Sequence, residues 1–189
     1  MSTVTDPRPR QDLDPAERSI VLVGLMGAGK SCIGRKLAQR LGLRFVDADS
    51  EIEAAAGCSI PEIFERHGEA AFRDGERRVI ARLLESHDRQ VLATGGGAFM
   101  DAGTRRAIAG TGVSVWLRAD LELLLRRTSR RSKRPLLRRG NPRETLSRLI
   151  GERYPVYAEA DITVDSVDGP PDETVDRVLE ALKRHGAVR

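Results

Sequence analysis

The run Gly24-Leu25-Met26-Gly27-Ala28-Gly29-Lys30-Ser31 fits G-x-x-x-x-G-K-[ST], and its flanks constrain the fold as strongly as the motif does. Before it stands Ser19-Ile20-Val21-Leu22-Val23, a short, β-branched and continuously apolar stretch of the kind that forms a strand buried on both faces. After it, Ile33, Leu37, Ala38 and Leu41 recur at helical spacing, which predicts a helix over Lys30–Leu41 with Gly42 as its stop. Strand, glycine loop and helix in that order make a phosphate cradle. Loop N–H groups can turn inward around oxygens, and the helix adds the positive end of its dipole. Lys30 is then placed for the β- and γ-phosphates of a nucleotide, and the Ser31 hydroxyl for Mg²⁺.

The same alternation continues along the chain. Further strands are predicted at 43–46, 90–94, 113–117 and 161–164, each short and apolar. Helices are predicted at 59–84, 104–109, 120–128 and 144–158, and in a last segment where Val175, Val178, Leu179 and Leu182 fall at i, i+3, i+4, i+7. Ser59 and Glu62 suggest a capping box and Pro61 a first turn, while Gly68 and Gly75 are expected to break that long helix, and Pro155 sits awkwardly in another. The pattern implies an α/β fold: a single three-layer αβα domain on a five-stranded parallel sheet, with ligands beyond the carboxyl ends of the strands. Residues 1–18, with Pro7, Pro9 and Pro15 among polar residues, are expected to be a flexible tail, which leaves 19–189 as the domain.

Composition narrows the function classes. Of 189 residues, 40% are apolar and 32% charged, which suits a globular chain and not a disordered one. Aromatics are only 4%, so stacking of bases on aromatic platforms is an unpromising theme. The longest uncharged stretches, 20–29 and 91–100, are too short and glycine-rich to span a bilayer, and no secretory leader pattern opens the sequence. A cytoplasmic protein is therefore expected. Cys32 and Cys58 have no metal-type spacing and are expected to be small, partly buried fillers. The net charge of +4 conceals an asymmetry, because residues 123–143 hold nine basic residues and no acid, and the rest carries 23 positive against 28 negative. That is an acidic body with one basic segment, which reads either as a nucleic-acid surface or as a local anion clamp.

Two further signals concern chemistry. Asp47-Ala48-Asp49 closes the second predicted strand. One carboxylate beside a phosphate loop can hold Mg²⁺ through water while the other orients an acceptor hydroxyl, or both can simply cap the following helix, and the residues alone leave these readings open. Arg73, taken alone, reads as one more exposed helix residue, with Glu76 one turn on as an ion-pair partner.

Taken together, these signals resemble the shikimate kinases from about residue 20 to 182. The resemblance rests on 24–31, on Asp47-Ala48-Asp49, on Phe72-Arg73 followed by Glu76, and on Gly95-Gly96-Gly97. It also rests on Arg134-Pro135-Leu136-Leu137 and on Arg153-Tyr154-Pro155-Val156-Tyr157. The glycine-lysine motif is shared by many NTPases, whereas the triple glycine, D-x-D and R-P-L-L together are specific to this family. The resemblance implies ATP-dependent phosphorylation of the 3-hydroxyl of shikimate, with Mg²⁺ accompanying ATP. Asp49 would orient or deprotonate that hydroxyl, with Lys30 and Arg134 as the other catalytic residues. Arg73 and Arg153 would clamp the carboxylate, and Gly95, Gly96 and Gly97 would complete the substrate site. Gly27, Ala28, Gly29, Lys30, Ser31, Cys32, Arg127 and Arg134 would bind the nucleotide, Arg127 against the adenine, and Ser31 and Asp47 would serve the metal. The basic segment becomes a mobile lid over about 128–142 that closes on the phosphates, and the family's habit implies a monomer that binds neither nucleic acid nor membrane. Cys32 stands where the family often has Thr or Ser. A gluconate-type or nucleoside monophosphate kinase is the neighbouring reading. A nucleic-acid-binding protein that uses the basic segment is the remote one.

Overall fold

The computed structural model describes residues 14–85, 88–129 and 141–188. One sheet holds five parallel strands, β1 (Ser19–Val23), β2 (Arg44–Asp47), β3 (Gln90–Ala93), β4 (Gly112–Arg118) and β5 (Ile162–Asp165), in the order β2-β3-β1-β4-β5. Every residue of central β1 is buried, which is why its sequence is apolar without alternation. Edge strand β5 alternates instead, with Ile162 and Val164 inward and Thr163 and Asp165 outward. The chain places β2 and β3 on one side of β1 and β4 and β5 on the other. The connection order therefore reverses at β1, and open parallel sheets bind ligands at such a reversal.

Seven α-helices flank the sheet among the described residues: α1 (Lys30–Leu41), α2 (Ala48–Ala56), α3 (Ile60–Glu85), α4 (Ala102–Thr111), α5 (Leu121–Ser129), α6 (Pro142–Tyr157) and α7 (Pro171–His185). Helix α1 lies on β1 and β3 and against α7, which covers β5, while α4 lies on β4 and against α3, and α5 pairs with α6. The predicted bounds of α1 are met, and Gly42 ends it in the left-handed conformation with its N–H on the carbonyls of Ala38 and Gln39. None of these helices is long and apolar enough to cross a membrane.

Several details differ from the sequence expectation. Residues 14–18 of the predicted tail are described, and Pro15–Glu17 form a turn of 3-10 helix; 1–13 lie outside the described residues. Strands β2 and β5 each start one residue later than predicted; at β5, Asp161 turns its carboxylate onto the N–H and hydroxyl of Ser114 (2.8 and 2.6 Å) instead of joining the ladder. Helix α3 breaks at Gly68 (φ 80°, ψ 174°), a backbone only glycine adopts readily, but continues through Gly75. Among the described residues, and apart from the backbone of its own helical turns, no atom lies within 4 Å of where a Gly75 Cβ would stand, so nothing in the structure explains that glycine. The capping box is half made: Glu62 accepts from the Ser59 N–H at 2.8 Å, but the Ser59 hydroxyl also donates to Glu62 instead of capping an N–H. Helix α6 runs through Pro155 to Tyr157, the proline falling in its last turn.

Candidate active site

The site grows from the carboxyl ends of β1, β2 and β3. Loop residues Gly24, Gly27 and Gly29 all have φ between 85° and 142°. At Gly24 a side chain is doubly excluded, since a Cβ would stand 2.8 Å from the Leu117 carbonyl. The Lys30 ammonium folds back over the loop and donates to the carbonyls of Gly24 (2.7 Å) and Leu25 (3.0 Å). Arg127, at the end of α5, donates to the carbonyls of Gly27 and Ala28 (3.3 and 3.2 Å), the Ser166 hydroxyl (2.8 Å) and the Val167 carbonyl (2.6 Å). Its guanidinium thus ties the glycine loop to the segment after β5.

Beside this cradle, Asp47 makes the helix cap that one reading of the D-x-D pair expects and also turns toward the loop. Its Oδ1 accepts from the Asp49 N–H at 3.1 Å and caps α2, while Oδ2 accepts from the Ser31 hydroxyl at 2.8 Å. Asp49 sits in the first turn of α2. Burial, and then the negative charge of Asp47, push its carboxyl above the usual carboxylate range against the pull of Lys30.

Thr94 locks the end of β3 to β1, its N–H and hydroxyl both donating to the Leu22 carbonyl (3.2 and 3.0 Å). That bond lays Gly95-Gly96-Gly97 alongside the loop, and each glycine meets a functional side chain. A Cβ on Gly95 would stand 2.8 Å from both an Asp49 and a Glu76 carboxylate oxygen, and one on Gly97 within 2.5–2.7 Å of the Arg73 guanidinium. On Gly96 it would stand 3.4 Å from Arg153. Arg73 is fixed by Glu76 (2.7 Å) and lies over the Phe72 ring at 5.0 Å, while Arg153 donates to the Gly96 carbonyl at 2.8 Å. Glu76 is only 3% exposed, and one of its carboxylate oxygens has no hydrogen-bond partner among the described residues. Burial pushes its carboxyl upward against the pull of Arg73.

A cleft of about 620 Å³ joins the two halves. Every predicted site residue among those described lines it except Ala28, which is fully buried beneath the loop. Arg134, and residues 130–140 of the predicted lid, lie outside the described residues. Cys32 lines the cleft and is exposed, not the partly buried filler expected of it, whereas Cys58 is half-buried. Sequence reasoning missed the Phe64–Phe72 ring pair (4.6 Å between centroids), which walls the cleft beside Arg73.

The family model for shikimate kinase matches residues 26–183, most of the chain. The chain belongs to the shikimate kinase family. A shikimate kinase of Paramagnetospirillum magneticum is 66% identical over 165 residues, covering 87% of this chain and 84% of that protein. One from Bradyrhizobium diazoefficiens is 60% identical over 168 residues, covering 89% and 81%. Among solved structures, shikimate kinase from Acinetobacter baumannii in complex with shikimate superposes with a TM-score of 0.84 at 41% identity, over 89% of this chain and 94% of that one. A gluconokinase from Sinorhizobium meliloti, at 20% identity and TM-score 0.65, shares the fold alone. The five-stranded parallel sheet and the glycine-loop helix are thus those of a shikimate kinase.

Proposed function

We propose that the enzyme transfers the γ-phosphoryl group of ATP to the 3-hydroxyl of shikimate through the residues just described. The observation that carries this assignment is the pairing, in one cleft, of a phosphate cradle at Lys30 with two guanidinium groups, Arg73 and Arg153, held against a glycine turn. Planar guanidinium groups match a carboxylate with paired hydrogen bonds, so the clamp suits an acid and the cradle a nucleotide. Asp49, between them, accepts the proton of the attacking hydroxyl or orients it. The oxygen attacks the γ-phosphorus as the bond to the β-bridging oxygen breaks, releasing ADP, shikimate 3-phosphate and a proton. Lys30 supports the developing charge on the phosphates, Gly27, Ala28 and Gly29 present loop N–H groups, and Cys32 and Arg127 border the nucleotide. Arg134, outside the described residues, takes from the family resemblance the role of stabilising charge on the transferred phosphoryl group.

Mg²⁺ fits the donor set. Ser31 and Asp47 give one hydroxyl and one carboxylate, 2.8 Å apart, beside the cradle. No cluster of three or more His, Cys, Asp or Glu that could hold a metal occurs among the described residues. A hard cation that keeps several waters and shares its shell with nucleotide phosphates suits such a sparse pair. When bound it supplies charge neutralisation to the β- and γ-phosphates. The family resemblance supports a monomer, and use of ATP supports a cytoplasmic location.

The carboxylate clamp is tested by removing either side of it. Arg153→Ala, assayed on shikimate, is expected to raise KM about 10- to 100-fold with a smaller change in kcat, and wild type assayed on shikimate methyl ester should show a loss of similar size. Equal KM values for acid and ester would show that the guanidinium groups do not read the carboxylate.

A further inference from the structure

Arg153 does not hold the Gly96 carbonyl alone. The Tyr157 hydroxyl donates to the same oxygen, and the two side chains lie together because residues 153 and 157 are one turn apart on α6 and share a face. Tyr157 is fully buried, and its ring is set by three aromatic neighbours: Trp116 at 5.9 Å, Tyr154 at 6.1 Å and Phe99 at 6.4 Å. A ring so packed leaves its hydroxyl one direction, onto the glycine turn. The consequence lies on the other side of that peptide. In a trans peptide the C=O of Gly96 and the N–H of Gly97 point in opposite directions, so whatever fixes one aims the other. The Gly97 N–H has no acceptor among the described residues, and the cleft is lined there by Arg73.

We infer that Tyr157 is a positioning residue for the acid substrate: by holding the Gly96 carbonyl it orients the Gly96–Gly97 peptide and keeps Arg153 in place before the substrate arrives. It touches no reacting atom and acts through the turn and the arginine. Ordering these groups in advance lowers the entropy lost on binding, so the effect falls on affinity for the acid and not on the nucleotide. The inference rests on the shikimate reading above.

The test compares wild type with Tyr157→Phe and with Tyr154→Phe, a matched control whose lost hydroxyl serves the Ala119 carbonyl instead of the glycine turn. Tyr157→Phe is expected to raise KM for shikimate roughly five- to tenfold, the size of one buried hydrogen bond, with kcat and KM for MgATP within about twofold. Tyr154→Phe should leave all three within about twofold. A folded Tyr157→Phe enzyme with wild-type KM for shikimate overturns the inference, as does an equal rise in both KM values. Absence of shikimate-dependent ADP release by wild type would overturn the functional reading instead. The chain has two tyrosines, so 3-fluorotyrosine incorporated into Tyr154→Phe labels Tyr157 alone. Should Tyr157→Phe fail to fold, the ¹⁹F resonance of that labelled protein decides. A shift that saturates with shikimate and is not produced by ADP supports the inference, and a resonance unmoved by shikimate overturns it.

Discussion

Asp49→Asn is expected to lower kcat on shikimate by about 10²- to 10⁴-fold, the usual worth of a positioned acid–base group, while making the protein harder to unfold near neutral pH. Both effects have one origin. The Asp49 carboxyl is pushed upward first by burial and then by Asp47, with Lys30 in opposition. A carboxyl whose folded-state pKa lies above its unfolded value holds its proton more tightly in the folded protein. Its stabilising contribution is full below the unfolded pKa and is lost as pH rises through the folded one. At about pH 7.5 the wild type therefore carries a half-buried charge beside a second carboxylate, and the amide removes it. Thermal melts at about pH 7.5 and pH 4 check the sign: the variant gains at the higher pH, and the gain shrinks at the lower. The same raised pKa places the acid limb of the wild-type kcat profile above the ordinary aspartate range. A variant with near-normal turnover would remove Asp49 from the mechanism.

Lys30→Met should lower kcat/KM for MgATP by about 10³-fold and leave shikimate binding within about threefold. In the structure the ammonium rests on the carbonyls of Gly24 and Leu25, at the mouth of the cradle, so it is already beside the position the phosphates take. Exchange of two neutral carbonyl acceptors for anionic oxygens is a gain that methionine cannot make. The loop itself should survive, because its path is set by Gly24, Gly27 and Gly29 and by the Arg127 bonds to the Gly27 and Ala28 carbonyls. Calorimetry with shikimate alone separates the two halves of the site. Unchanged shikimate affinity with lost turnover fits the account, and retention of more than about a tenth of kcat/KM contradicts it.

The two halves were not equally legible in the sequence. The cradle is local: strand, glycine loop and helix are contiguous, so period and motif placed α1 to the residue. The D-x-D pair was visible but ambiguous, and the structure shows why: one oxygen of Asp47 caps α2 while the other meets Ser31, so capping accounts for only half of a side chain that also faces the cradle. Glu76 was found because its partner, Arg73, lies one turn away. Tyr157 was not found as a site residue, because its partner carbonyl is 61 residues distant in sequence. Apolar periodicity reports that a ring is buried and nothing about where its hydroxyl goes. Gly75 misled for the opposite reason: helix propensity disfavours glycine by only about 1 kcal/mol, too little to break a helix packed on both sides of it.

The measurement that bears most directly on the central claim is product analysis of the wild-type enzyme with MgATP and equal concentrations of shikimate, gluconate and AMP. The account predicts ADP and shikimate 3-phosphate formed one for one, with the phosphorus signal coupled to the proton on carbon 3. It also predicts no ADP when shikimate or Mg²⁺ is left out. Preferential phosphorylation of gluconate or AMP, or phosphate on another hydroxyl of shikimate, would contradict it.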